Sequence, residues 1–502
     1  MPDPLPSLPA LTRADAAFAA ALALLAALLL GFGISGWGLG LNADSIQYAD
    51  AAVHLARLDG ATLSVPEGLA RPLLVWPPLY PLALAPVGWG LSAWPQVLHL
   101  LLFGGLAAGV FLALRRFDVA AVAALPAALL AAFGGNMAFQ FGQLLSEAMF
   151  LPLELGLIVL LALALHQPQR RWLVAAGLCA AAATLTRYVG QGMILSGALL
   201  LLLGSTGSWR ARLARAGLFF GCAQLPVLLW LLRNWLTAGT LADRDPSAEA
   251  IAWGWFFDIW RVMTTWFAPE TFSRWIRHPL TLATLALGAA CLLPLRAAPS
   301  PQRALALSCL ATAAGYLALM FAAEFGSSRA QDLDQRMLLP VLLPVALLLG
   351  LAAGQQPARR LARACNALLA ALALLALVKS AFVMLDLRQA GAGYSGQQWQ
   401  ADLSLQTPAD VVIASNHPEA LAWQLGRPCL KTPSAQAGSN KQQIDPVRLA
   451  HFEQLAGGHK CWIVLFESWS WDVDETALAR QLGLKLVSRG PGRVIYEMPA
   501  KP

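Results

Sequence analysis

Residues 42–60, NADSIQYADAAVHLARLDG, contain side chains suited to acid–base chemistry. Asp44 is a candidate general base, because a carboxylate within hydrogen-bond reach of a hydroxyl group can take its proton. Tyr48 and His54 are candidates for binding a substrate beside it. The structural alternative is that Asp44 and Gln47 form a capping box at the start of an amphipathic helix. Tyr48 and His54 would then lie on that helix at the membrane surface.

Two further acids belong to SEAMFLPLELG, residues 146–156. Glu147 is either a functional carboxylate or a favourable acid in a first helical turn capped by Ser146. Glu154 lies seven residues later, on nearly the same helical face and inside an apolar run. An acid at that depth in a membrane is a functional candidate by default, and the alternative is a structural hydrogen-bonding role.

Arginine residues near the ends of apolar segments are candidates for binding anions, because a guanidinium group donates several hydrogen bonds in one plane. They are Arg71, Arg187, Arg233 and Arg336. For Arg187 and Arg233 the alternative is snorkelling to lipid headgroups. For Arg336 it is an ion pair with Asp332 or Asp334 in a solvated loop.

The elements that must position these side chains are membrane helices. The chain has 502 residues, of which 58% are hydrophobic and 13% charged, and this indicates a polytopic membrane protein. Its net charge is +7, but most of the basic residues belong to short loops between apolar segments, and no nucleic-acid-binding module is visible. Runs of membrane-spanning length predict about eleven helices. They lie near residues 16–36, 92–114, 119–139, 146–166, 171–187, 189–205, 213–232, 279–296, 304–323, 338–354 and 364–386.

Arginine clusters in alternate loops predict the orientation of these helices. The clusters begin at Arg115, Arg170, Arg210, Arg296 and Arg359, and such loops are cytoplasmic by the positive-inside rule. Eleven spans then place Asp44, Glu147 and the C-terminal region on the opposite, periplasmic side of a bacterial inner membrane.

Residues 391–502 form a predicted soluble α/β domain, separate from a membrane module over residues 1–390. DVVIAS (410–415), CWIVLF (461–466) and RVIYEM (493–498) are predicted strands, whereas HPEALAWQLG and DETALARQLG are predicted helices. Cys429 and Cys461 are candidates for one disulfide bond in the periplasm. No Gly-rich phosphate loop follows a strand and no CxxC pair suggests zinc.

Two aromatic segments lie outside the predicted spans. RPLLVWPPLYPLALAPVGW, residues 71–89, belongs to an external loop at about 37–91 and includes Trp76 and Tyr80, candidate substrate-binding residues on a rigid segment that dips into the membrane interface. WGWFFDIWRVMTTWFAPETFSRWIRH, residues 253–278, belongs to a loop at about 233–278. Its first interpretation is an amphipathic interfacial element; the alternative is a saccharide-binding wall or lid.

The order of several motifs resembles that of GT-C class integral membrane glycosyltransferases. The motifs are the Asp44 loop, WPPLYP at 76–81, Ser146-Glu147, Leu185-Thr186-Arg187-Tyr188, Arg233-Asn234, Arg336 before Leu339-Pro340, and ASNHPEALAWQLGR at 414–427. They cover almost the whole chain, and the order is closest to the branch with protein O-mannosyltransferases and the lipid A aminoarabinose transferase.

The resemblance implies transfer of a sugar from a polyprenyl-phosphate donor to a lipid, glycan or protein acceptor. Asp44 would be the base of an inverting displacement and Glu147 would assist it. Arg71, Arg187, Arg233 and Arg336 would bind the donor phosphate. Tyr48, His54, Trp76, Tyr80 and Tyr188 would line the substrate site. Relatives often carry a Lys before the first-loop proline; here Val75-Trp76 precedes Pro77-Pro78, and Arg71 is the substitute.

Some relatives bind a divalent metal at corresponding acids, so Mg²⁺ or Mn²⁺ is the cofactor that the resemblance allows. Many relatives show two adjacent acids in the first loop, whereas Ala43 stands beside Asp44 here, which weakens the case for a metal and leaves no metal ligand assigned. A flippase of lipid-linked sugars, favoured by Glu154 and Lys379, and a surface-polysaccharide polymerase or ligase are the alternative functions.

Overall fold

The structure is a computed structural model that describes most of the chain. The described residues are 8–65, 67–68, 70–87, 93–241, 254–293, 300–325, 335–354, 359–397, 407–408, 410–434, 443–466, 474–490 and 492–499. They are mainly helical and divide into two compact units. The first comprises the described parts of Met1–Gly36, Leu74–Tyr80 and Leu91–Gln389; the second comprises those of Trp37–Leu73, Pro81–Gly90 and Ala390–Pro502.

Helices make up the first unit. They are α1 (Arg13–Ile34), α4 (Ala93–Arg116), α5 (Ala121–Phe133), α6 (Met137–Phe141), α7 (Glu147–His166), α8 (Arg170–Thr186), α9 (Gly190–Gly204), α10 (Trp209–Ala238), α11 (Gly254–Phe267), α12 (Arg274–Leu292), α13 (Pro301–Phe325), α14 (Leu339–Gly354) and α15 (Arg359–Ala390). The short helix α3 (Leu79–Leu84) contains a boundary between the two units, because Tyr80 is assigned to the first and Pro81 to the second.

A helix coincides with each of the eleven predicted spans. Among the described residues, seven helices are long and apolar enough to cross a membrane: α1, α4, α7, α10, α13, α14 and α15. Helices α5 and α9 are apolar but shorter. The protein is therefore an integral membrane protein with at least these seven candidate spans, while the count of eleven stays a prediction.

Small residues allow close helix packing in the first unit. Gly192 of α9 and Gly315 of α13 face each other so closely that a Cβ atom on either one would collide with the carbonyl oxygen of the other. Lipid supplies no hydrophobic force between helices, so association in a membrane depends on such close van der Waals contact. The packing places the N-terminal ends of α7, α9 and α14 around the polar site described below.

The second unit begins with helix α2 (Ala43–Ala56) and a two-stranded antiparallel ribbon, β1 (Thr62–Leu63) and β2 (Arg71–Pro72). The described residues after Ser415 and those of the strand before it form a five-stranded sheet with three helices. The strands are β3 (Val412–Ser415), β4 (Leu430–Lys431), β5 (Cys461–Phe466), β6 (Lys485–Gly490) and β7 (Arg493–Met498), and the helices are α16 (Pro418–Leu425), α17 (Pro446–Ala456) and α18 (Glu475–Leu482).

The sheet has the order β4-β3-β5-β7-β6. Strand β3 is parallel to β4 and β5, whereas β7 is antiparallel to β5 and β6. Ile463, Leu465 and Phe452 belong to its buried apolar core. The three strands and two helices predicted from the sequence are confirmed, because short β-rich apolar runs and capped helical runs are local signals. The division of the chain at residue 390 stays a prediction.

The predicted disulfide bond is wrong. Cys429 and Cys461 are both free and buried. Cys429 immediately precedes β4 and Cys461 begins β5, and strand β3 lies between those two strands. Strands two positions apart are separated by about 9–10 Å, beyond the Cα separation of about 7 Å that a disulfide tolerates.

Candidate active site

Glu147 is the first residue of helix α7, and its side chain is almost fully buried. The preceding residue, Ser146, makes no side-chain hydrogen bond to the helix, so the predicted Ser146 cap is wrong. The Ser146 hydroxyl instead accepts a hydrogen bond of 3.4 Å from Nη1 of Arg187. The head of α7 is thus joined to a second element through Arg187.

Arg187 lies in the tight turn between helices α8 and α9. Helix α8 ends at Thr186, and Arg187 has an extended backbone that turns its side chain out of the helix. The turn closes because the Gly190 N–H donates to the Arg187 carbonyl at 2.9 Å. A Cβ atom on Gly190 would lie 2.8 Å from the backbone nitrogen of Thr184, so the turn requires glycine. Arg187 forms an ion pair with Oε1 of Glu147.

Arg336, from a more distant part of the chain, lies near the same Glu147 carboxylate. It begins a 3₁₀ helix, Arg336–Leu338, that leads directly into α14. The Tyr316 hydroxyl in α13 donates a hydrogen bond of 2.6 Å to the carbonyl of Met337 and fixes this turn. The Nε atom of Arg336 lies 4.0 Å from Oε1 of Glu147.

The cluster of Glu147, Arg187 and Arg336 carries one excess positive charge, since two guanidinium groups face one carboxylate. The Glu147 side chain is 2% exposed, whereas those of Arg187 and Arg336 are 23% and 26% exposed. The carboxylate therefore lies behind the two cations and holds them in place. Two partly exposed guanidinium groups suit an anion such as a phosphate, which accepts paired N–H groups from arginine.

Tyr188 and Arg233 meet through Trp230, a residue that the sequence analysis did not single out. The Trp230 indole N–H donates to the Tyr188 hydroxyl at 2.9 Å, and the Arg233 guanidinium stacks 4.9 Å from the Trp230 ring centre. Trp230 precedes Arg233 by three residues on α10, and this spacing was the available signal. Tyr188 also donates to the carbonyl of Leu74 at 3.3 Å, which links the turn to the residues just before the WPPLYP segment.

Asp44 belongs to the second unit and is half-buried in the first turn of α2. The predicted capping box of Asp44 and Gln47 is wrong. Asn42 caps the helix, with its side chain accepting from the Ser45 N–H at 2.9 Å and the Ser45 hydroxyl accepting from the Asn42 N–H at 3.1 Å. The Asp44 carboxylate is consequently not needed to cap its own helix.

Tyr48 and His54 lie further along α2. Tyr48 is buried in the second unit. His54 Nδ1 lies 3.5 Å from Asp59, and His54 Nε2 lies 3.9 Å from Asp50. Asp50 accepts hydrogen bonds from the Ser64 hydroxyl at 2.8 Å and from the Val65 N–H at 3.1 Å. His54 thus contributes to a polar network that shapes the loop, and its substrate-binding role stays a prediction.

The remaining predicted residues occupy different surroundings. Arg71 is exposed in strand β2 of the second unit. Trp76 is half-buried in the first unit. Tyr80 is buried, and its hydroxyl is hydrogen bonded to Nε2 of His99 at 2.8 Å, while Nδ1 of His99 lies 2.7 Å from the Phe141 carbonyl. This arrangement favours a structural role for Tyr80, and His99 was missed because a single histidine inside an apolar run carries no local signal.

Two other polar residues inside spans have contrasting surroundings. The Lys379 ammonium group donates to the carbonyl of Gly135 at 3.1 Å, and this hydrogen bond gives Lys379 a structural role. Within the described residues, the buried carboxyl oxygens of Glu154 have no hydrogen-bond partner.

Residues 254–278 form α11, a turn and the start of α12, with an exposed ion pair of 3.0 Å between Asp258 and Arg261. Residue 253, Trp89, Asp332 and Asp334 lie outside the described residues.

The site does not suit the Mg²⁺ or Mn²⁺ that the motif resemblance allows. Hard cations bind clusters of oxygen ligands, but the Glu147 carboxylate faces two guanidinium groups, whose charges repel a further cation. Among the residues that the structure describes, no group of three or more His, Cys, Asp or Glu side chains is arranged to hold a metal ion.

Comparison with known proteins identifies the fold. No protein-family model matches the chain, and no curated protein sequence matches it. Among solved structures, the chain is similar to ArnT from Cupriavidus metallidurans in the apo state, with a TM-score of 0.61 and 14% identity over 97% of this chain and 99% of ArnT. The ArnT structure bound to undecaprenyl phosphate gives a TM-score of 0.60 and 15% identity, covering 98% and 99% of the two chains.

Two larger proteins share the fold. The archaeal oligosaccharyltransferase AglB from Archaeoglobus fulgidus, in complex with an inhibitory peptide and a dolichol-phosphate, gives a TM-score of 0.54 and 12% identity over 97% of this chain and 74% of AglB. The arabinofuranosyltransferase AftD from Mycobacteria gives 0.52 and 17% over 99% and 42%. The chain therefore has the fold of GT-C class membrane glycosyltransferases, as the motif order predicted.

Proposed function

We propose that this protein is a membrane glycosyltransferase that moves a sugar from a polyprenyl-phosphate donor to an acceptor hydroxyl. The observation that carries the proposal is the pair of guanidinium groups, Arg187 and Arg336, that face one buried carboxylate and whose side chains are themselves partly exposed. A cationic pair of this kind suits the phosphate of a lipid-linked donor, and the neighbouring apolar helices suit its prenyl tail.

The proposed reaction is a single displacement with inversion. The acceptor oxygen forms a bond to the anomeric carbon while the bond from that carbon to the phosphate oxygen breaks. The acceptor proton goes to Asp44, and the electron pair leaves with the polyprenyl phosphate. Arg187 and Arg336 stabilise the additional negative charge on that leaving group, which is the electrostatic contribution that lowers such a barrier.

Glu147 has a revised role in this proposal. The sequence suggested a catalytic carboxylate, but the buried Glu147 side chain is engaged by Arg187 and lies near Arg336. It acts as the positioning residue for the two arginines. Tyr188, Arg233 and Trp230 form a second polar group on α10 and the α8–α9 turn, and we assign Arg233 to the donor phosphate or to its sugar.

The arginine-rich alternate loops support an orientation in which the proposed site faces the periplasm, across the inner membrane of a bacterium. ArnT, which shares the fold, has been solved with undecaprenyl phosphate bound. A C55 polyprenyl carrier is therefore the first donor lipid to test here. The acceptor is a lipid, a glycan or a protein with a free hydroxyl.

The test uses the full chain in nanodiscs with a panel of undecaprenyl-phosphate sugars, and it measures release of undecaprenyl phosphate in the presence of envelope extract as acceptor source. We expect turnover with one donor, and we expect Asp44→Asn to abolish it while leaving binding of undecaprenyl phosphate unchanged. Asp59→Asn is the matched control, because Asp59 lies in the same loop and is half exposed.

Two results contradict the proposal. Turnover in Asp44→Asn equal to that of Asp59→Asn removes Asp44 as the base. The second result is a flippase activity. In liposomes with the same lipids as the nanodiscs, an intact fluorescent lipid-linked sugar would then cross the membrane with no release of undecaprenyl phosphate.

A further inference from the structure

A short segment that follows the long helix α15 is hydrogen bonded to the residues that precede Asp44. The segment is 391–396, GAGYSG. The Leu41 N–H donates to the Ala392 carbonyl at 3.3 Å, and the Tyr394 N–H donates to the Leu41 carbonyl at 2.6 Å. The Ser395 hydroxyl donates to the Leu39 carbonyl at 3.0 Å. These bonds fix the backbone just before α2, the helix that carries Asp44.

Gly393 makes this backbone pairing sterically feasible. It pairs directly with Leu41 and has a φ of +56°, in the left-handed region that favours glycine. A Cβ atom at position 393 would collide with the carbonyl oxygen of Leu41. Any other residue would therefore force the two segments apart.

The Tyr394 side chain joins the same segment to the sheet and its helices. Its phenol is 7% exposed, and the hydroxyl is hydrogen bonded to Nδ1 of His417 at 3.1 Å. His417 is itself fixed by two contacts. Its backbone N–H donates to the Ser415 hydroxyl at 3.0 Å, and its imidazole ring packs edge-on against Phe466. His417 immediately precedes helix α16, which packs against α2.

Two acidic residues of the second unit, Glu419 and Asp44, contribute to the electrostatics of the Tyr394 phenol. Burial raises the pKa of the Tyr394 phenol above its ordinary value, and the negative charges of Glu419 and Asp44 raise it further. The phenol stays neutral at physiological pH, so it retains its proton for hydrogen bonding. The geometric links from this segment to α2 are the backbone pairing at Leu41 and the packing of α16 on α2.

We propose that Tyr394 and His417 are positioning residues for Asp44, and that the 391–396 segment and the start of α16 together set the orientation of the catalytic carboxylate. This inference rests on the proposed function, in which Asp44 is the general base. It assigns a role to the C-terminal region, namely to hold the helix that presents the base. A base must be held within a fraction of an ångström of its productive geometry, and a displacement of about 1 Å can cost about 100-fold in rate.

The experiment compares two pairs of variants in the full chain. Tyr394→Phe removes only the hydroxyl that bonds to His417. Tyr496→Phe is its control, because the Tyr496 hydroxyl bonds to Glu475 elsewhere in the same sheet domain. Gly393→Ala forces the Leu41 contact apart, whereas Gly426→Ala carries the same left-handed backbone penalty, with a φ of +63°, in open space.

Release of undecaprenyl phosphate from the donor that the wild type uses gives kcat and the donor KM. We expect kcat to fall roughly tenfold in Tyr394→Phe and roughly 100-fold in Gly393→Ala, with the donor KM within about twofold of wild type. Tyr496→Phe and Gly426→Ala should keep the wild-type kcat. A purely structural defect would lower the amount of folded protein without this separation of kcat from KM.

Hydrogen–deuterium exchange supplies a readout that needs no donor. We expect faster exchange in peptides covering residues 39–50 in Tyr394→Phe and Gly393→Ala than in their controls. Equal exchange and equal kcat within each pair overturn the inference. If Asp44→Asn remains active, the proposed base is wrong. If Asp44→Asn is inactive while Tyr394→Phe and Gly393→Ala match their controls, only the positioning role fails.

Discussion

Arg187 and Arg336 share one anionic partner, because Oε1 of Glu147 pairs with Arg187 and lies 4.0 Å from Nε of Arg336. Two guanidinium groups would repel each other without that carboxylate. Burial of Glu147 behind them makes their attraction to it stronger than it would be in water. The exposed side of this pair is the proposed binding site for the donor phosphate.

The geometry of the guanidinium groups predicts a difference between arginine and lysine. Arg187→Lys and Arg336→Lys keep the charge but lose the planar fork that binds two phosphate oxygens. We expect each to weaken binding of undecaprenyl phosphate roughly tenfold, equivalent to about 1.4 kcal/mol. Isothermal titration in nanodiscs measures this. Arg261→Lys is the control, because Arg261 is largely exposed and pairs only with Asp258 among the ion pairs described; equal affinities in all three variants would remove the phosphate assignment.

The ion pair also predicts a stability difference between two buried acids of α7. Glu147→Gln leaves two cations without their carboxylate, and removing one partner of a buried ion pair costs about 3–5 kcal/mol. Glu154→Gln removes no ion pair among the described residues. We therefore expect a clear fall in the thermal unfolding temperature in detergent for Glu147→Gln and a small change for Glu154→Gln. The reverse order would show that Glu154 has the larger structural role.

The contact between α9 and α13 predicts sensitivity to a single methyl group. Gly192→Ala and Gly315→Ala place a Cβ atom against the facing carbonyl oxygen, and overpacking of this kind costs about 1–3 kcal/mol. Gly217→Ala on α10 meets no atom, so it should be neutral or stabilising. Unfolding temperatures in one detergent compare the three variants. A loss of stability in Gly217→Ala equal to the other two would show that the helix contact is not the cause.

The two cysteines of the sheet predict slow thiol chemistry in the folded protein. Burial raises the pKa of the Cys461 thiol to about 12 and that of the Cys429 thiol well above its ordinary value. Because the thiolate is the reactive form, maleimide labelling at pH 7–8 should be slow until the protein is unfolded. Raising the pH from 7 to 9 while the protein remains folded should leave most of both thiols protonated.

Mass spectrometry of tryptic peptides, labelled before and after denaturation without reductant, measures this for each cysteine. We expect both residues as unlabelled free thiols before denaturation and as labelled thiols after it. A peptide pair joined through Cys429 and Cys461 would contradict the strand order of the sheet.

The local elements of this protein were predictable because their signals are local. Apolar runs identified helices at all eleven expected places, and β-rich runs identified β3, β5 and β7. Helix α2 was also expected, but its cap was assigned to Asp44 and Gln47 instead of Asn42 and Ser45. Both pairs have the same spacing, and the backbone conformation of Asn42, not the residue types alone, decides which pair caps the helix.

Composition and residue patterns were sufficient to identify an integral membrane protein with apolar helices, a mixed α/β region and arginines at helix ends, since burial in lipid restricts the composition of every membrane-spanning segment. Which charges meet became known only from the packing of the helices. Glu147, Arg187 and Arg336 come from three distant parts of the chain, and their pairing follows from helix packing. Cys429 and Cys461 remain separate for a related reason, because strand order is set by non-local pairing that no residue spacing encodes.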